Sequence, residues 1–239
     1  RYGYNYRTLN DDITAFELEG KKHTHSIYAG LVGMQQLQGG TSLNYNANLT
    51  VGKLGFDSDY SRILGELNRT DEGTYAKLEA ELTAVQQLGH STDFMVKVSG
   101  QKASRNLDSS EEFYLGGPNG VRAYAQGEGS GDEGVLGTAE LRYHTPVRGL
   151  TLSTFYDTGV VRVSKSPVGE GDNHVSLRGW GIGAAYRATG LHVSTMHGAS
   201  VRIRRSHRRI THAAASGSSW ARYGKQRLMR CAPSARLLR

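Results

Sequence analysis

Polar and apolar residues alternate along much of this chain with the period of two that is typical of β-strands. In residues 43–51 every odd position is apolar, and every even position is an Asn or a Thr. Successive side chains of a strand point to opposite sides, so this segment predicts a strand with one apolar and one polar face. Its length suits a tilted strand that crosses a bilayer, which takes about 9–11 residues.

Four other segments repeat the alternation, and together they predict an all-β, antiparallel fold. The interpretation of residues 76–84 stays open, because Leu78, Leu82 and Val85 also fit helical spacing and Ala, Glu and Lys favour helices. The strands around this segment favour the strand. The polar faces of the predicted strands carry charged side chains, namely Lys77, Glu79, Glu81, Glu140, Arg142 and Asp157.

Two architectures bury the apolar face of such strands, and the alternation alone does not choose between them. A soluble sandwich packs that face on a second sheet, whereas a barrel in lipid turns it outward and encloses the charges in a wet lumen. The connections favour the barrel, because Leu107–Ser110 and Pro146–Gly149 are predicted as short turns and Gly116–Gly134 and Ser164–His174 as long loops. We predict roughly ten strands before Leu191, each taking about 20 residues with its connection.

Composition excludes several other classes of protein. The chain has no stretch of about 18 apolar residues that could form a membrane-spanning helix. Its single Cys excludes an internal disulfide and a multi-cysteine zinc site. His23 and His25 share a strand face without a third ligand, so neither a metal nor a cofactor is predicted, and no nucleophile–base pair suggests an enzyme. Because Arg1 is preceded by neither Met nor a signal peptide, we expect a fragment or a processed form.

The net charge of +7 comes from the last fifth of the chain. Residues 192–239 contain 11 Lys and Arg and no acid, while residues 1–191 contain 18 basic and 22 acidic residues. The alternation also stops after Leu191. We therefore predict a partial barrel over 1–191 and an irregular basic non-barrel tail over 192–239, and we hypothesise that the tail is read out of frame. Its basic run, Val201–Ile210, has no interleaved aromatics, so nucleic-acid binding is not predicted.

An ordered set of motifs lies in the second half of the predicted barrel. They are Leu107–Gly117, Pro118–Tyr124, Gly131–Gly134, Glu140–Arg142 and Phe155–Gly159. This set resembles the barrel of two-partner secretion transporters, the haemolysin activation/secretion proteins of Gram-negative outer membranes. The resemblance implies a 16-stranded barrel preceded by two periplasmic polypeptide-transport (POTRA) domains and a plug helix, of which this chain would hold the C-terminal part of the barrel.

The resemblance also implies a site. In the family a long loop folds back into the lumen, and the Arg of its Val-Arg-Gly-Tyr motif pairs with the Asp of a Phe-x-Asp-x-Gly motif on the inner wall. The matching positions of the loop and wall motifs are Val121, Arg122, Ala123, Tyr124, Asp157 and Gly159. The loop-supporting positions are Gly116, Gly117, Gly131, Asp132 and Gly134, and the lumen-facing candidates are Glu140 and Arg142. Asp157 shares its strand face with Ser153, so it can point inward. Ala123 departs from the family's Gly, and we expect strain if that position needs a positive φ.

The function implied by the resemblance is an outer-membrane pore that secretes and activates a large haemolysin- or adhesin-type exoprotein. Its partners would be the unfolded exoprotein and outer-membrane lipid, and the barrel would be monomeric. We expect this chain to be truncated and inactive as it stands. One alternative is a barrel of the same superfamily that inserts other outer-membrane proteins. An alternative of another class is a soluble β-rich binding protein whose basic tail binds nucleic acid.

Overall fold

The computed structural model describes residues 1–13, 18–68, 70, 72–167, 171–189 and 191–201, and antiparallel strands dominate it. No helix within these ranges is long and apolar enough to cross a bilayer. The elements, in chain order, are β1 (Tyr2–Ile13), β2 (Leu18–Leu37), β3 (Thr41–Phe56), α1 (Asp59–Asn68), β4 (Gly73–Gln87), β5 (Thr92–Ala103), a 3-10 helix (Ser109–Glu111), β6 (Phe113–Tyr114), β7 (Ser130–Gly131), β8 (Glu133–His144), β9 (Leu150–Arg162), β10 (His174–Ala188) and β11 (Leu191–Ser200).

Nine strands form one antiparallel sheet in the order β1-β2-β3-β4-β5-β8-β9-β10-β11. This confirms the predicted all-β antiparallel fold, and the contested residues 76–84 lie in β4, paired with β3 and β5. Strands β1 and β11 are the edges of the described sheet, so the barrel is incomplete. Within the described residues, eight strands of this sheet precede Leu191, fewer than the roughly ten predicted for the barrel, and β6 and β7 are two residues each and form a separate pair.

The connections differ in length at the two ends of the sheet. Residues 38–40, 88–91 and 145–149 are short turns at one end, and Gly149 has a φ of +84° that suits a glycine. The opposite end carries helix α1 and two long connections, residues 104–132 and 163–173. This confirms the predicted short turn at Pro146–Gly149, whereas the predicted turn at Leu107–Ser110 is wrong, because these residues belong to the long connection 104–132 and enter its 3-10 helix. We refer to the two ends as the short-turn end and the long-loop end.

The two faces of the sheet differ in what covers them. The connection 104–132 lies on the face that carries Glu140 and Asp157, which we call the inner face. The outer face keeps large apolar side chains exposed, for example Leu49, Leu82 and Trp180. Within the described residues no second sheet packs on the outer face, because the β6–β7 pair contacts the inner one. The soluble-sandwich alternative needs such a second sheet.

The predicted end of the barrel at Leu191 is wrong. Residues Leu191–Ser200 form β11 and pair with β10 from Ala188↔Leu191 to Gly179↔Ser200. The sequence hides this strand because small and polar residues such as Ser194, Thr195 and His197 weaken its alternation. Pairing of the backbone with β10, rather than an apolar face, defines it. Residues 202–239, with most of the basic run and the out-of-frame hypothesis, lie outside the described residues.

Candidate functional site

The connection 104–132, here called the inner loop, folds back onto the inner face of the sheet. Leu115 and Val121 of the loop are fully buried. They pack in one apolar cluster with three wall residues, Leu136 of β8, Val161 of β9 and Leu177 of β10. Complete burial of a Leu or Val side chain contributes about 1.5–3 kcal/mol, so this cluster gives the loop a fixed seat on the wall.

Residues 115–124 form a compact turn, which we call the loop tip. The Val121 amide donates to the Leu115 carbonyl at 2.6 Å, and Gly116 pairs with Val121 in a short parallel bridge. Gly117 has a φ of +113°, a conformation that other residues rarely adopt. A side chain on Gly120 would overlap the Leu115 carbonyl oxygen. The glycines therefore allow the tip to close on itself and present one side chain to the wall.

Arg122 is the side chain that the tip presents. Its Nε and Nη2 atoms donate to the two oxygens of Asp157, each at 2.9 Å, and its backbone amide donates to Asp157 Oδ2 at 3.1 Å. Its Nη1 atom donates to Glu140 Oε2 at 2.6 Å. The guanidinium carbon lies 3.5 Å from the centre of the Phe155 ring. One loop cation thus meets two wall carboxylates and one aromatic face, which is a geometry suited to arginine and not to lysine.

Because the ion pair is buried, losing one of its partners would be costly. Asp157 is fully buried, and the side chains of Arg122 and Glu140 are only 11% and 9% exposed. Burial alone lowers the pKa of Arg122, but the hydrogen bonds to Asp157 and Glu140 outweigh it and raise that pKa. The guanidinium therefore stays charged. Removing it would take the cation from Asp157 and leave Glu140 with Arg142 alone, in a site that water reaches poorly.

Glu140 and Arg142, predicted to face the lumen, both lie on the inner face of β8. Arg142 Nε donates to Glu140 Oε1 at 2.8 Å, while Arg122 occupies the other oxygen. Glu140 is thus held between two arginines. Sequence reasoning treated Glu140 and Phe155 as separate from the Arg122–Asp157 pair, although Phe155 is two residues from Asp157 and therefore on the same strand face.

The remaining predicted loop residues shape the seat of the loop. Asp132 accepts the backbone amides of Leu107 at 2.8 Å and Lys165 at 2.6 Å, which ties the inner loop to the connection 163–173. Burial raises the pKa of Asp132, and the two backbone hydrogen bonds only partly offset this. Gly134 and Gly159 leave room for bulky neighbours, since a Cβ on either would lie 2.6 Å from Phe113 or Leu115. Gly131 pairs with Phe113 in the β6–β7 ladder.

Ala123 and Tyr124 complete the tip. Ala123 is buried over two wall glycines, and a Cβ built on Gly179 would lie 2.5 Å from the Ala123 methyl. Tyr124 packs on the apolar cluster and donates its amide to the Val121 carbonyl at 3.1 Å.

A second set of buried charges, which the sequence analysis missed, holds the start of the inner loop. We call residues 107–111 the loop base. Lys22 Nζ of β2 lies 2.8 Å from Asp108 Oδ2, and both side chains are buried. Glu111 is buried between Arg7 of β1 and Lys77 of β4, each at 3.0 Å. The alternation placed Lys77 on a polar face, but nothing in the sequence identified its partner in the loop.

A polar cavity of about 400 Å³ opens beside the loop base on the inner face. Charged and polar side chains form its lining, including Arg7, Asn48, Lys77, Glu79 and Glu111. Such a lining favours water and hydrated polar groups, and it offers little apolar surface to a small apolar ligand. Chemically, the inner face can accommodate a hydrated chain, while the inner loop obstructs it.

Comparisons with known proteins agree with this architecture. A profile of the haemolysin secretion/activation protein family ShlB/FhaC/HecB matches residues 1–186. The heme/hemopexin transporter protein HuxB of Haemophilus influenzae strain 86-028NP is 26% identical over 196 residues, covering 80% of this chain and 35% of that protein. HuxB of strain KW20 is 27% identical over 169 residues, covering 70% of this chain and 30% of that protein. The chain thus spans about a third of the length of these curated relatives.

Two solved structures share the fold. CdiB from Escherichia coli has a TM-score of 0.54 at 14% sequence identity, over 84% of this chain and 46% of that one. CdiB from Acinetobacter baumannii has a TM-score of 0.50 at 16% identity, over 92% of this chain and 45% of that one. With the family profile matching residues 1–186 of 239, the chain belongs to the haemolysin secretion/activation protein family ShlB/FhaC/HecB.

Proposed function

We propose that the complete protein to which these strands belong is a two-partner secretion pore that exports a large, unfolded exoprotein. Its family lies in the outer membrane of Gram-negative bacteria, and this chain is assigned there. The observation that carries the proposal is the Arg122 contact with Asp157 and Glu140, which seats an inner loop on a charge-lined wall. The chain spans about a third of its relatives, so export is proposed for the whole protein.

The inner loop acts as the gate in this proposal. While Arg122 holds the tip on β8 and β9, the loop occupies the space on the inner face through which a chain would pass. Export requires the tip to leave its seat or to rearrange there. Folding of the exoprotein outside the cell supplies the driving force, so neither a nucleotide nor a metal takes part.

The cargo class is a haemolysin- or adhesin-type exoprotein. The curated relative HuxB is named for transport of heme/hemopexin, which favours a secreted ligand-binding protein as a second cargo class. In either class the partner is a large secreted protein, and the polar and charged lining of the cavity beside the loop base supports passage of a polypeptide over binding of a small apolar ligand.

The test is export by the full-length transporter carrying Arg122→Ala. We expect the amount of exoprotein in the medium to fall by at least about tenfold, because the truncated residue leaves the buried Asp157 without its cation and the tip loses its position. Arg148→Ala, in the short turn 145–149, is the matched control and should export normally. Immunoblots of outer membranes show whether both variants reach the membrane equally.

Two outcomes would contradict the proposal. Unchanged export by Arg122→Ala would contradict the role of the inner loop as the gate. If depletion of the transporter removed many unrelated outer-membrane proteins while export of the exoprotein stayed intact, an insertion barrel of the same superfamily would be favoured instead.

A further inference from the structure

The outer face of three strands shows the same arrangement, a run of small and apolar side chains that ends in a cation. The cations are Lys53 on β3, Lys102 on β5 and Arg178 on β10, and all three are exposed. The outward residues between each cation and the short-turn end are Leu43, Tyr45, Ala47, Leu49 and Val51 on β3, Phe94, Val96, Val98 and Gly100 on β5, and Trp180, Ile182, Ala184 and Tyr186 on β10. The apolar runs mark the surface that faces hydrocarbon.

The three cations stand at one height. Each lies ten to twelve residues from the short-turn end of its strand, counted from Thr41, Thr92 and Ala188. A strand tilted by about 40° gains about 2.5 Å of height per residue, which puts the cations about 25–30 Å above the short turns. The apolar band of outer-membrane barrels is about 25 Å tall. The cations therefore stand where the hydrocarbon ends at the long-loop side.

Basic side chains on neighbouring strands lie at the same height. His25 of β2 lies opposite Lys53, and Arg162 of β9 lies at the same height near Glu133 of β8. Glu133, an acid at this level, is paired with Lys165 and also lies within electrostatic reach of Lys102. In contrast, the outward strand residues nearest the short turns, among those the structure describes, carry no charge. Among the described strand residues, the outward-facing cations therefore lie toward the long-loop rim of the apolar surface.

We propose that Lys53, Lys102 and Arg178 form a cationic collar that binds phosphate groups of the membrane lipid in the leaflet at the long-loop end. Long Lys and Arg stems lie along apolar surface while their charged ends reach the polar boundary. There an ammonium neutralises one phosphate charge, and the planar guanidinium of Arg178 can donate to two phosphate oxygens. The collar does not depend on secretion, because it lies on the face away from the inner loop.

The experiment measures the lipid retained by the protein after production in a Gram-negative outer membrane and extraction in mild detergent. The purified protein is incubated with mixed micelles of detergent and phosphatidylcholine that contain either diphosphoryl lipid A or dephosphorylated lipid A. Mass spectrometry then counts the bound lipid A. We expect the wild-type protein to retain the phosphorylated form. The triple variant Lys53→Gln, Lys102→Gln, Arg178→Gln should retain at least about tenfold less, since each cation near an anionic lipid surface contributes to binding.

The matched control removes three cations elsewhere, with Lys97→Gln, Arg148→Gln and Arg187→Gln on the inner face or at the short-turn end. It should retain lipid A like the wild type, and high salt should weaken retention by the wild type. Equal retention by the triple variant, or equal retention of dephosphorylated lipid A, would overturn the collar. Complete displacement of lipid A by inorganic phosphate would also overturn it, because a free anion would then satisfy the site.

Discussion

The tip and the base of the inner loop are both held by buried charges, but with opposite polarity. At the tip, one loop cation, Arg122, meets two wall carboxylates, Asp157 and Glu140. At the base, two loop carboxylates, Asp108 and Glu111, meet wall cations on β1, β2 and β4. The two anchors lie on different strands, so the loop crosses from one part of the wall to another.

This difference indicates how the loop can move. The base has several separate ion pairs, and Lys77 and Gln101 also donate to the Glu111 carbonyl, so no single contact decides its position. At the tip, both ion pairs to the wall run through a single side chain, Arg122. Opposite polarity also prevents the tip from binding at the base, because Arg122 would meet cations there. We therefore expect the tip to release while the base stays in place.

The largest expected effect is at the tip. Arg122→Ala should lower the free energy of unfolding by about 3–5 kcal/mol, because it leaves the buried Asp157 carboxylate without its cation and removes one of the two arginines that hold Glu140. Guanidinium unfolding in detergent micelles, followed by far-UV circular dichroism, measures this. Arg122→Lys keeps the charge but loses the bidentate hydrogen bonds to Asp157, and we expect an intermediate loss of unfolding free energy. If both variants equal the wild type, the tip is no more dependent on one side chain than the base.

A smaller effect is expected at the base. Glu111→Gln should lower the free energy of unfolding by about 1.5–3 kcal/mol, the usual worth of hydrogen bonds to charged groups, because Lys77 keeps Glu79 and the Glu111 carbonyl. Glu79→Gln removes another partner of the same lysine from an accessible wall position, and we expect less than about 1 kcal/mol. A loss for Glu111→Gln as large as that for Arg122→Ala would end the distinction between the anchors.

The turn geometry of the tip provides a third comparison. Gly120→Ala introduces a Cβ against the Leu115 carbonyl and should destabilise the protein by about 1–3 kcal/mol. Hydrogen exchange of the tip amides, such as Val121, should rise more than that of Glu111 at the base. Gly89→Ala, where a Cβ meets nothing within 4 Å, is the control and should leave both unchanged.

The smallest expected effect is at Glu112, which directly follows Glu111 of the loop base in the sequence. Burial raises the pKa of Glu112, and Asp132 and Asp108 raise it further, while a hydrogen bond with Ser130 opposes them. The folded protein therefore holds this proton more tightly than the unfolded chain, so stability falls as pH rises through the interval above the ordinary glutamate pKa. Glu112→Gln should match the wild type below that interval and exceed it above. An identical pH dependence of unfolding for both proteins would contradict this.

Particular residues show what a single sequence can and cannot predict here. The alternation of residues 43–51 and 137–143 gave the strands, because side-chain direction has a fixed period. The pairing of Arg122 with Asp157 was predicted from the motif resemblance. Glu140 was not predicted as a second partner, because its position beside Asp157 depends on the pairing register of β8 and β9, which a single sequence does not give. The base contacts, such as Lys22 with Asp108, join positions far apart in the chain. Strand β11 was missed because its residues are small and polar.

The bare wall beneath Ala123 has a further consequence. Gly179 on β10 and Gly198 on β11 approach Ala123 so closely that a Cβ built on either would lie 2.5–3.2 Å from it. The interface therefore holds one methyl group and has no volume for a second. Between residues 123 and 179 the extra carbon can sit on the loop or on the wall, so substitutions at these two positions are coupled. Alanine at position 179 would be tolerated only after residue 123 had become glycine.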